Sequence, residues 1–291
     1  MTDTLPITPV WIIMPVMAGQ TMTEAAISDC LAQSVPIRLL VILQGVAGEF
    51  RDRIEQIAEQ DSRVLVWSHD PPLPSLAATW NRALEFVWAV GGKHALVVNN
   101  DVRIHQDTVQ VLSTVLVRTG SLFVSAVGVT EQQYDPQADL WNCVSPIGDP
   151  SVLLKGGPDF SCFLISKSCH NRFRFDEGYI PAFAEDLDLH RRMMLDGEGD
   201  RIFSINLPFH HIGGGSQTIK SLPPKQQQAY GKSREYHARK WGGPVNQERF
   251  TIPFGPDSDQ DGVTTPELQK LVQDAATPVV AAEGEDVLPT A

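Results

Sequence analysis

The stretch ALVVNND, residues 95–101, sets four apolar residues directly before two asparagines and an aspartate. The short apolar run predicts a buried strand over Ala95–Val98 that ends where the polar residues begin. In sheets of parallel strands, ligands bind at the carboxyl ends of the strands. We therefore expect Asn99, Asn100 and Asp101 to lie at a binding site. The alternative is a simple turn, for which asparagine and aspartate are also preferred.

On the N-terminal side of this stretch, apolar β-rich runs alternate with helical patterns. Strands are predicted at Val10–Val16, Arg38–Leu43 and Val64–Trp67. Helices are predicted from a capping box at Thr21 and Glu24 to Gln33, over Phe50–Gln60 and over Ser75–Val90. Such alternation implies parallel pairing through right-handed crossovers. The first half of the chain therefore predicts an α/β, Rossmann-like fold with a mostly parallel central sheet and flanking helices.

The second half of the chain has a less regular pattern. Helices are predicted at Thr108–Val117, Glu185–Leu195 and Lys225–Trp241, and strands at Leu122–Val129, Phe160–Ile165 and Ile202–Leu207. Residues 131–158, which contain Pro, Gly and Asp, predict a long loop that covers a site. We expect a single domain over residues 1–255.

The composition is that of a globular chain, with 42% hydrophobic and 20% charged residues among 291. No apolar run reaches the roughly 18 residues that a membrane span needs. The apolar stretch near the N-terminus is short and lacks a basic flank, which argues against a secretory signal. The four cysteines, at positions 30, 143, 162 and 169, show no C-x-x-C spacing. We therefore expect reduced thiols and a cytoplasmic protein.

The net charge of −12 is unevenly distributed along the chain. Residues 256–291 carry eight acidic side chains and one lysine, and their composition predicts a disordered acidic tail. Residues 220–249 instead contain seven basic and two acidic side chains. A basic patch of this size suits a small anionic ligand such as a diphosphate, whereas long duplex DNA would require a wider positive face.

Five carboxylates occur within residues 176–188. Acids this close repel one another unless a cation or a proton-transfer step uses them. Glu185 and Asp188 share one face of the predicted helix because they are three residues apart, and Asp186 faces elsewhere. The alternative is an ordinary helix N-terminus, where acids complement the helix dipole. That alternative explains two of these acids more readily than all five.

His210 and His211 follow the last predicted strand and precede three consecutive glycines at 213–215. A histidine at this place can bind a metal, while the glycines let backbone amides approach a phosphate. The alternative is a flexible connection with two incidental histidines. Because neighbouring residues of a strand point to opposite sides, only one of the two can be a ligand.

The order of these motifs resembles that of the family 2 glycosyltransferases, which have the GT-A fold. The motifs are VNNDV at 98–102, GGPDFSCFLISK at 156–167, FDEGYIPAFAEDLDLHRRM at 175–193 and HIGGGS at 211–216. The resemblance covers residues 8–216 and is most specific over 175–192. KWGG at 240–243 is also similar to a C-terminal feature of phage-encoded members.

The resemblance implies a glycosyltransferase that uses a nucleoside diphosphate sugar together with Mn²⁺ or Mg²⁺. It implies a nucleotide-sugar-binding half at residues 1–130 and an acceptor and catalytic half at 131–255. Asp101 and His211 would bind the metal, and Asp186 would be the catalytic base, with Glu185 beside it as a second catalytic residue. The candidate donor-binding residues are Pro15 (expected to end the first strand), Gln44, Asn81, Asn99, Asn100, Asp101, Arg239 and Lys240. The candidate acceptor-binding residues are Gly157, Asp159 and Trp241.

Two positions depart from the family pattern. Gln44 stands where the family usually has an aspartate that contacts the nucleobase, which weakens the inference of uracil preference. Glutamine still hydrogen-bonds a base edge, and a UDP-sugar remains the favoured donor. Asn99 replaces the first aspartate of the D-x-D motif, so the expected metal site carries less negative charge.

The expected chemistry is an inverting sugar transfer, and several points stay open. The acceptor is a glycan, a lipid-linked glycan, a protein or a modified nucleobase, and the oligomeric state is not determined by the sequence. The expected location is the cytoplasm, which is the host cytoplasm for a phage-encoded enzyme. A sugar nucleotidyltransferase is one alternative, but residues 14–20 lack the basic residue that its phosphate loop requires. A non-catalytic sugar-binding relative is the other, and the presence of Asp101, Asp186 and His211 together argues against it.

Overall fold

The computed structural model describes residues 8–129, 158–212 and 224–255. Eight strands lie in these ranges, namely β1 Val10–Val16, β2 Ile37–Gln44, β3 Val64–His69, β4 His94–Val98, β5 Val102–Arg103, β6 Phe123–Val129, β7 Cys162–Ser166 and β8 Ile202–His211. They form one mixed sheet in the order β3-β2-β1-β4-β7-β6-β8-β5. The expected loop at 131–158, except Pro158, and the expected tail at 256–291 lie outside the described residues.

Seven α-helices accompany the sheet in the described ranges. They are α1 Gln20–Leu31, α2 Gly48–Gln60, α3 Leu76–Ala89, α4 Thr108–Thr119, α5 Lys167–Arg172, α6 Glu185–Leu195 and α7 Pro224–Trp241. Their positions confirm each helix predicted from the sequence, and α5 is additional. No helix in this part of the chain is both long enough and apolar enough to cross a membrane.

The predicted capping box at the start of α1 is wrong. The residue before the helix is Gly19, whose φ of 86° places it in the left-handed region, and no side chain caps the first turn. Glycine adopts this conformation without the steric cost that a Cβ atom would add. The Glu24 carboxylate instead accepts hydrogen bonds from the side chains of Gln20 and Arg53, both at 3.0 Å. These bonds lie on the helix surface and do not cap the first turn.

The sheet has a parallel half and a mixed half. Strands β1, β2, β3 and β4 pair in parallel, so their carboxyl ends share one edge of the sheet. Strand β7 runs antiparallel to both β4 and β6, β6 pairs in parallel with β8, and β5 pairs antiparallel with β8. This arrangement confirms the expected α/β class and adds antiparallel strands that the sequence pattern did not specify.

Apolar layers cover both faces of the sheet. On β1, Ile12 and Met14 contribute to one layer and Ile13 to the other. Helices α1, α2 and α4 cover the first face, and α3, α5 and α6 cover the second. Strands buried on both faces read as continuous apolar runs, which is why the sequence located them well.

Candidate functional site

The turn after β4 presents Asp101 at the carboxyl edge of the sheet. The backbone N–H of Asn99 donates to the carbonyl of Ser161 at 3.0 Å, which ties the turn to the chain entering β7. The Asn100 side chain donates to the carbonyl of Ala18 at 2.7 Å and to Thr23 Oγ1 at 2.8 Å. Asn100 therefore links the turn to the start of α1 through hydrogen bonds.

Pairing of β5 with β8 brings His211 to Asp101. Val102 and His211 are partners in this antiparallel register, and His211 Nε2 lies 3.2 Å from Asp101 Oδ2. The side chain of His210 is buried, whereas that of His211 is partly exposed. Of the two histidines, His211 is thus the one beside Asp101. Strand β8 extends to these residues, whereas the sequence pattern placed its end at Leu207.

Opposing effects act on the pKa of His211. Burial lowers it, but the hydrogen bond with Asp101 and the negative charges of Asp101 and Asp159 outweigh burial, and the pKa is raised. The neighbourhood of this imidazole is therefore anionic. A site of this polarity favours a cation.

The donor set at this turn is small. Among the described residues, no group of three or more His, Cys, Asp or Glu side chains is arranged to hold a metal ion. Asp101 and His211 offer one carboxylate and one imidazole, a set that leaves most coordination positions to water or to substrate. Mg²⁺ is characteristically bound in this way, through one or two carboxylates and the phosphates of a substrate. The pair therefore fits a divalent cation that is shared with a diphosphate.

Asp159 connects the Asp101–His211 pair with the acidic start of α6. Its backbone N–H donates to Ser125 Oγ at 3.1 Å, and its carboxylate accepts from the backbone N–H of Ser161 at 2.8 Å. Its negative charge raises the pKa of both His211 and Asp186. Residues that are far apart in the sequence thus share one electrostatic environment.

The backbone before α6 is strained. Phe183 and Ala184 have φ angles of 96° and 71°, in the left-handed region that side chains other than glycine rarely adopt. Backbone N–H groups of Phe183 and Glu185 donate to the Glu185 carboxyl group. Strain of this kind persists where the surrounding structure holds it, often at functional sites. Here the strained backbone fixes the position of Glu185.

Glu185 and Asp186 occupy different surroundings, as their positions on the helix predicted. Glu185 is buried and its Oε2 has no hydrogen-bond partner among the described residues, whereas Asp186 keeps partial access to solvent. Burial and the charge of Asp186 raise the pKa of Glu185 to about 8. Burial also raises the pKa of Asp186, against a hydrogen bond of 2.8 Å from the backbone N–H of Leu187.

Lys240 and Trp241 lie in a buried polar network between α6 and α7. Lys240 Nζ is 2.6 Å from Asp188 Oδ1 and 2.5 Å from Asp176 Oδ2. Trp241 Nε1 donates to Asp188 Oδ1 at 2.9 Å, and Arg192 Nε donates to Asp188 Oδ2 at 2.8 Å. Both Lys240 and Trp241, which the sequence suggested as ligand-binding residues, have partners that hold α7 against α6.

The other basic candidates of α7 lie outside this network. Arg239 is exposed, and the guanidinium of Arg234 stacks over the Phe183 ring at 4.5 Å from its centroid. Tyr230 lies within the electrostatic reach of Glu185, whose charge adds to burial in raising the pKa of Tyr230. Tyr230 and Arg234 are therefore neighbours of the strained segment. The sequence suggests Arg234 as a candidate for phosphate contact, whereas it does not identify Tyr230.

Asn81 is fully buried in α3, and both ends of its side-chain amide form hydrogen bonds with other residues of the protein. Its Nδ2 donates to the Phe175 carbonyl and to Glu177 Oε1, both at 2.9 Å. Its Oδ1 accepts from the Phe175 N–H at 3.1 Å and lies 3.0 Å from His170 Nε2. This candidate donor-binding residue positions the segment that leads to α6.

Pro15 and Gln44 lie on the strands that precede the expected nucleotide site. Pro15 is a buried residue within β1 and does not end the strand, which continues to Val16 because its register with β2 is unbroken. Gln44 is the last residue of β2, where it is buried and accepts from the Leu73 N–H at 2.7 Å. Gly157 and the glycines at 213–215 lie outside the described residues.

No protein-family model matches this chain, and no curated protein matches it either. Solved structures do match. TarS from S. aureus in complex with UDP has a TM-score of 0.53 and 12% identity, over 79% of this chain and 72% of that chain. This chain has the GT-A fold that its sequence predicted.

Two further matches were solved with nucleotide sugars. TarS in complex with UDP-GlcNAc has a TM-score of 0.55 and 12% identity, over 83% of this chain and 68% of that chain. The mannosyltransferase PcManGT from Pyrobaculum calidifontis, in complex with GDP-Man and Mn²⁺, has a TM-score of 0.55 and 12% identity, over 91% of this chain and 73% of that chain. These similarities confirm the predicted fold.

Proposed function

We propose that this protein is a metal-dependent, inverting glycosyltransferase of the family 2 type. The observation that carries the proposal is the pairing of Asp101 with His211 at the carboxyl edge of a glycosyltransferase fold. Asp159 links that pair electrostatically to Asp186. A cation-binding pair and a carboxylate that can accept a proton are the parts that sugar transfer from a diphosphate requires.

Asp101 and His211 would hold Mn²⁺ or Mg²⁺ together with the diphosphate of a nucleotide sugar. Such a metal, when bound, neutralises the negative charge that grows on the departing diphosphate. The support is the anionic surroundings of His211 and the mixed oxygen and nitrogen donor set. One structural match, the mannosyltransferase, was solved with GDP-Man and Mn²⁺.

Asp186 is the proposed base. The acceptor hydroxyl oxygen forms a bond to the anomeric carbon, and the bond from that carbon to the diphosphate oxygen breaks. The hydroxyl proton passes to the Asp186 carboxylate, and the electron pair of the broken bond stays on the nucleoside diphosphate. A single displacement of this kind inverts the anomeric centre.

The environments of the two carboxyl groups support this assignment. Glu185, with a pKa of about 8, keeps its proton near neutral pH and adds no second negative charge beside Asp186. The pKa of Asp186 is itself raised, which makes this carboxylate a stronger proton acceptor than an ordinary exposed aspartate. Glu185 therefore acts as a positioning residue and Asp186 as the catalytic residue.

The donor is proposed to be a nucleoside diphosphate sugar, with UDP-sugars tested first, and the acceptor a glycan, protein or modified nucleobase. The matched structures contain UDP, UDP-GlcNAc or GDP-Man, which supports this donor class. A cytoplasmic location is proposed from the cysteines, because Cys30, Cys162 and Cys169 are buried and free.

The test is a survey of nucleotide sugars in which release of the nucleoside diphosphate is measured. Transfer to water gives slow release even when the acceptor is unknown. We expect release from at least one donor in the presence of Mn²⁺ or Mg²⁺, its loss in EDTA and its return when metal is added. Release that persists in EDTA would contradict the metal assignment, and absence of release from every donor would contradict the proposed function.

A further inference from the structure

The guanidinium of Arg234 has no anionic partner within the described part of the protein. Its Cζ lies 4.5 Å from the centroid of the Phe183 ring, and it makes no hydrogen bond or ion pair with any described residue. Both side chains are partly exposed. Stacking covers one face of the guanidinium plane and leaves the N–H groups at its rim able to donate. Arg234 therefore presents an unused cationic donor at the protein surface.

The acidic side chains around α6 are neutralised by other cations. Lys240 forms ion pairs with Asp176 and Asp188, and Arg192 forms a second ion pair with Asp188. The charge of Arg234 is therefore not needed to balance these carboxylates. A guanidinium whose charge is not balanced by the described residues suits an anion that comes from outside the protein, because it binds phosphate and carboxylate groups through two parallel hydrogen bonds.

The backbone that carries Arg234 is held against the segment before α6. Ser233 is buried, and its Oγ donates to the carbonyl of Ile180 at 2.9 Å. Gly178 lies so close to α7 that a Cβ atom there would be 2.5 Å from the Tyr236 hydroxyl oxygen. An arginine whose backbone and ring contact are both fixed loses less conformational entropy when it binds a ligand. Arg234 is thus pre-organised for binding.

Tyr230 lies one helical turn before Arg234, on the same side of α7. Its hydroxyl makes no hydrogen bond within the described ranges, and the negative charge of Glu185 acts on it. Tyr230 and Arg234 therefore both lie beside residues 183–185. A phenol hydroxyl and a guanidinium on neighbouring turns are both able to donate to the oxygen atoms of one anionic group.

The location of these two residues is on the acceptor side of the proposed reaction. Phe183 precedes Asp186 by three residues, a stretch that spans no more than about 11 Å. In a single displacement the base lies on the face of the sugar opposite to the leaving group. The leaving diphosphate is assigned to Asp101 and His211, so a cation beside the base meets the acceptor and not the donor.

We propose that Arg234 and Tyr230 bind an anionic group of the acceptor, so that the acceptor is a carbohydrate that carries a phosphate or a carboxylate. The net charge of −12 disfavours a long polyanion, and one anionic group is therefore the ligand. This proposal rests on the proposed function, since it takes Asp186 to be the base. It adds to that function the chemical class of the acceptor.

The test measures the binding of glucose, glucose 6-phosphate and glucuronate to the full-length protein by calorimetry. Mg²⁺ and a saturating concentration of the nucleoside diphosphate released in the donor survey are present, so that the metal site is already occupied. We expect at least one of the two anionic sugars to bind about 10-fold more tightly than glucose, the usual effect of a hydrogen bond to a charged group. The tighter of the two identifies phosphate or carboxylate as the group that is recognised.

Four variants assign this preference to the two residues. Arg234→Met keeps an apolar contact with the Phe183 ring and removes the charge, so it should bind the three sugars equally. Arg234→Gln removes the charge in a second way and should give the same result. Arg234→Lys keeps the charge without the planar fork and should retain part of the preference. Tyr230→Phe should reduce the preference about threefold, because it removes one uncharged donor.

The matched control is Lys232→Met. It removes the same charge from an exposed position two residues away on α7, which faces a different side of the helix. This variant should keep the full preference for the anionic sugar. Circular dichroism shows whether each variant is folded.

Two results would overturn the proposal and leave the proposed function intact. In the first, the wild type hydrolyses a donor but binds the anionic sugars no more tightly than glucose. In the second, the preference for an anionic sugar persists in folded Arg234→Met or Arg234→Gln. Absence of nucleoside diphosphate release from every donor is a different outcome, in which the proposed function fails and the acceptor site fails with it.

Discussion

The Nε2 atom of His211 lies 3.2 Å from Oδ2 of Asp101, although the two residues are 110 positions apart in the chain. The two-residue strand β5 makes this contact possible, because its pairing with β8 sets Val102 opposite His211. Backbone hydrogen bonding reinforces it, since the N–H of Ile212 donates to the Asp101 carbonyl at 2.8 Å. The relative position of the two side chains is therefore fixed by the sheet itself.

The first prediction concerns Asp101. Asp101→Asn removes the carboxylate charge and keeps the size of the side chain, so metal-assisted binding of the nucleoside diphosphate should be lost and transfer should stop. The fold should remain, because the backbone contacts of the turn are unchanged. Calorimetric titration with Mn²⁺ and nucleotide measures the effect. Asp52→Asn, on the exposed surface of α2, is the matched control and should bind as the wild type does.

The second prediction separates the two carboxyl groups at the start of α6. Asp186→Asn cannot accept a proton, and transfer should fall by about 10²–10⁴-fold, the usual contribution of a positioned base. Nucleotide binding should barely change. Glu185→Gln should have the smaller effect on the rate, because Glu185 is already protonated near neutral pH. A larger loss in Glu185→Gln than in Asp186→Asn would exchange the two roles.

The third prediction concerns the buried ion pairs of Lys240. Lys240→Met leaves Asp176 and Asp188 without their shared cation, and should lower the free energy of unfolding by about 3 kcal/mol. The neighbouring Arg239 is exposed, so Arg239→Met should change the free energy of unfolding by no more than about 0.5 kcal/mol. Urea denaturation of both variants gives the comparison. Equal stability of the two variants would show that the network adds nothing.

The fourth prediction is a pH dependence that arises from His170. This histidine accepts from Trp88 Nε1 at 3.0 Å through Nδ1, and burial followed by the charge of Arg174 lowers its pKa to about 4. The unfolded chain binds the proton at higher pH than the folded protein does. Stability from this group is therefore complete above about pH 6.5 and is lost as the pH falls toward 4.

The size of this effect is measured against a variant. Between pH 7 and pH 4 the wild type should lose about 3 kcal/mol more stability than His170→Gln, which cannot titrate. Carboxyl groups and other histidines contribute equally to both proteins, so the difference between the two profiles isolates His170. Parallel profiles would show that protonation of His170 is not linked to unfolding.

The fifth prediction concerns residues 256–291, which carry eight acidic side chains and one lysine. A segment of this composition has too little apolar surface to build a packed core. Truncation after Gly255 should therefore leave the melting temperature and the transfer rate unchanged within error. A fall of several degrees would show instead that the tail packs on the rest of the protein.

The sequence by itself determined the parallel half of the sheet, because strands buried on both faces appear as uninterrupted apolar runs. Val10–Val16 and Glu185–Leu195 have the bounds in the structure that the sequence predicted. It also placed Asp101 at a strand end and separated Glu185 from Asp186. These features are local, since they depend on periodicity within a few residues.

Only the tertiary structure decided how the polar side chains are used. Strand β5 is too short to have a sequence pattern, yet it sets the Asp101–His211 pair. Lysine is a residue type that often binds phosphate, but Lys240 forms buried ion pairs with Asp176 and Asp188, which lie elsewhere in the chain. The hydrogen bond that the Gln44 side chain accepts likewise depends on the backbone of Leu73. Hydrogen bonds and ion pairs between distant segments depend on how the chain packs, and the spacing of residues along the sequence does not reveal them.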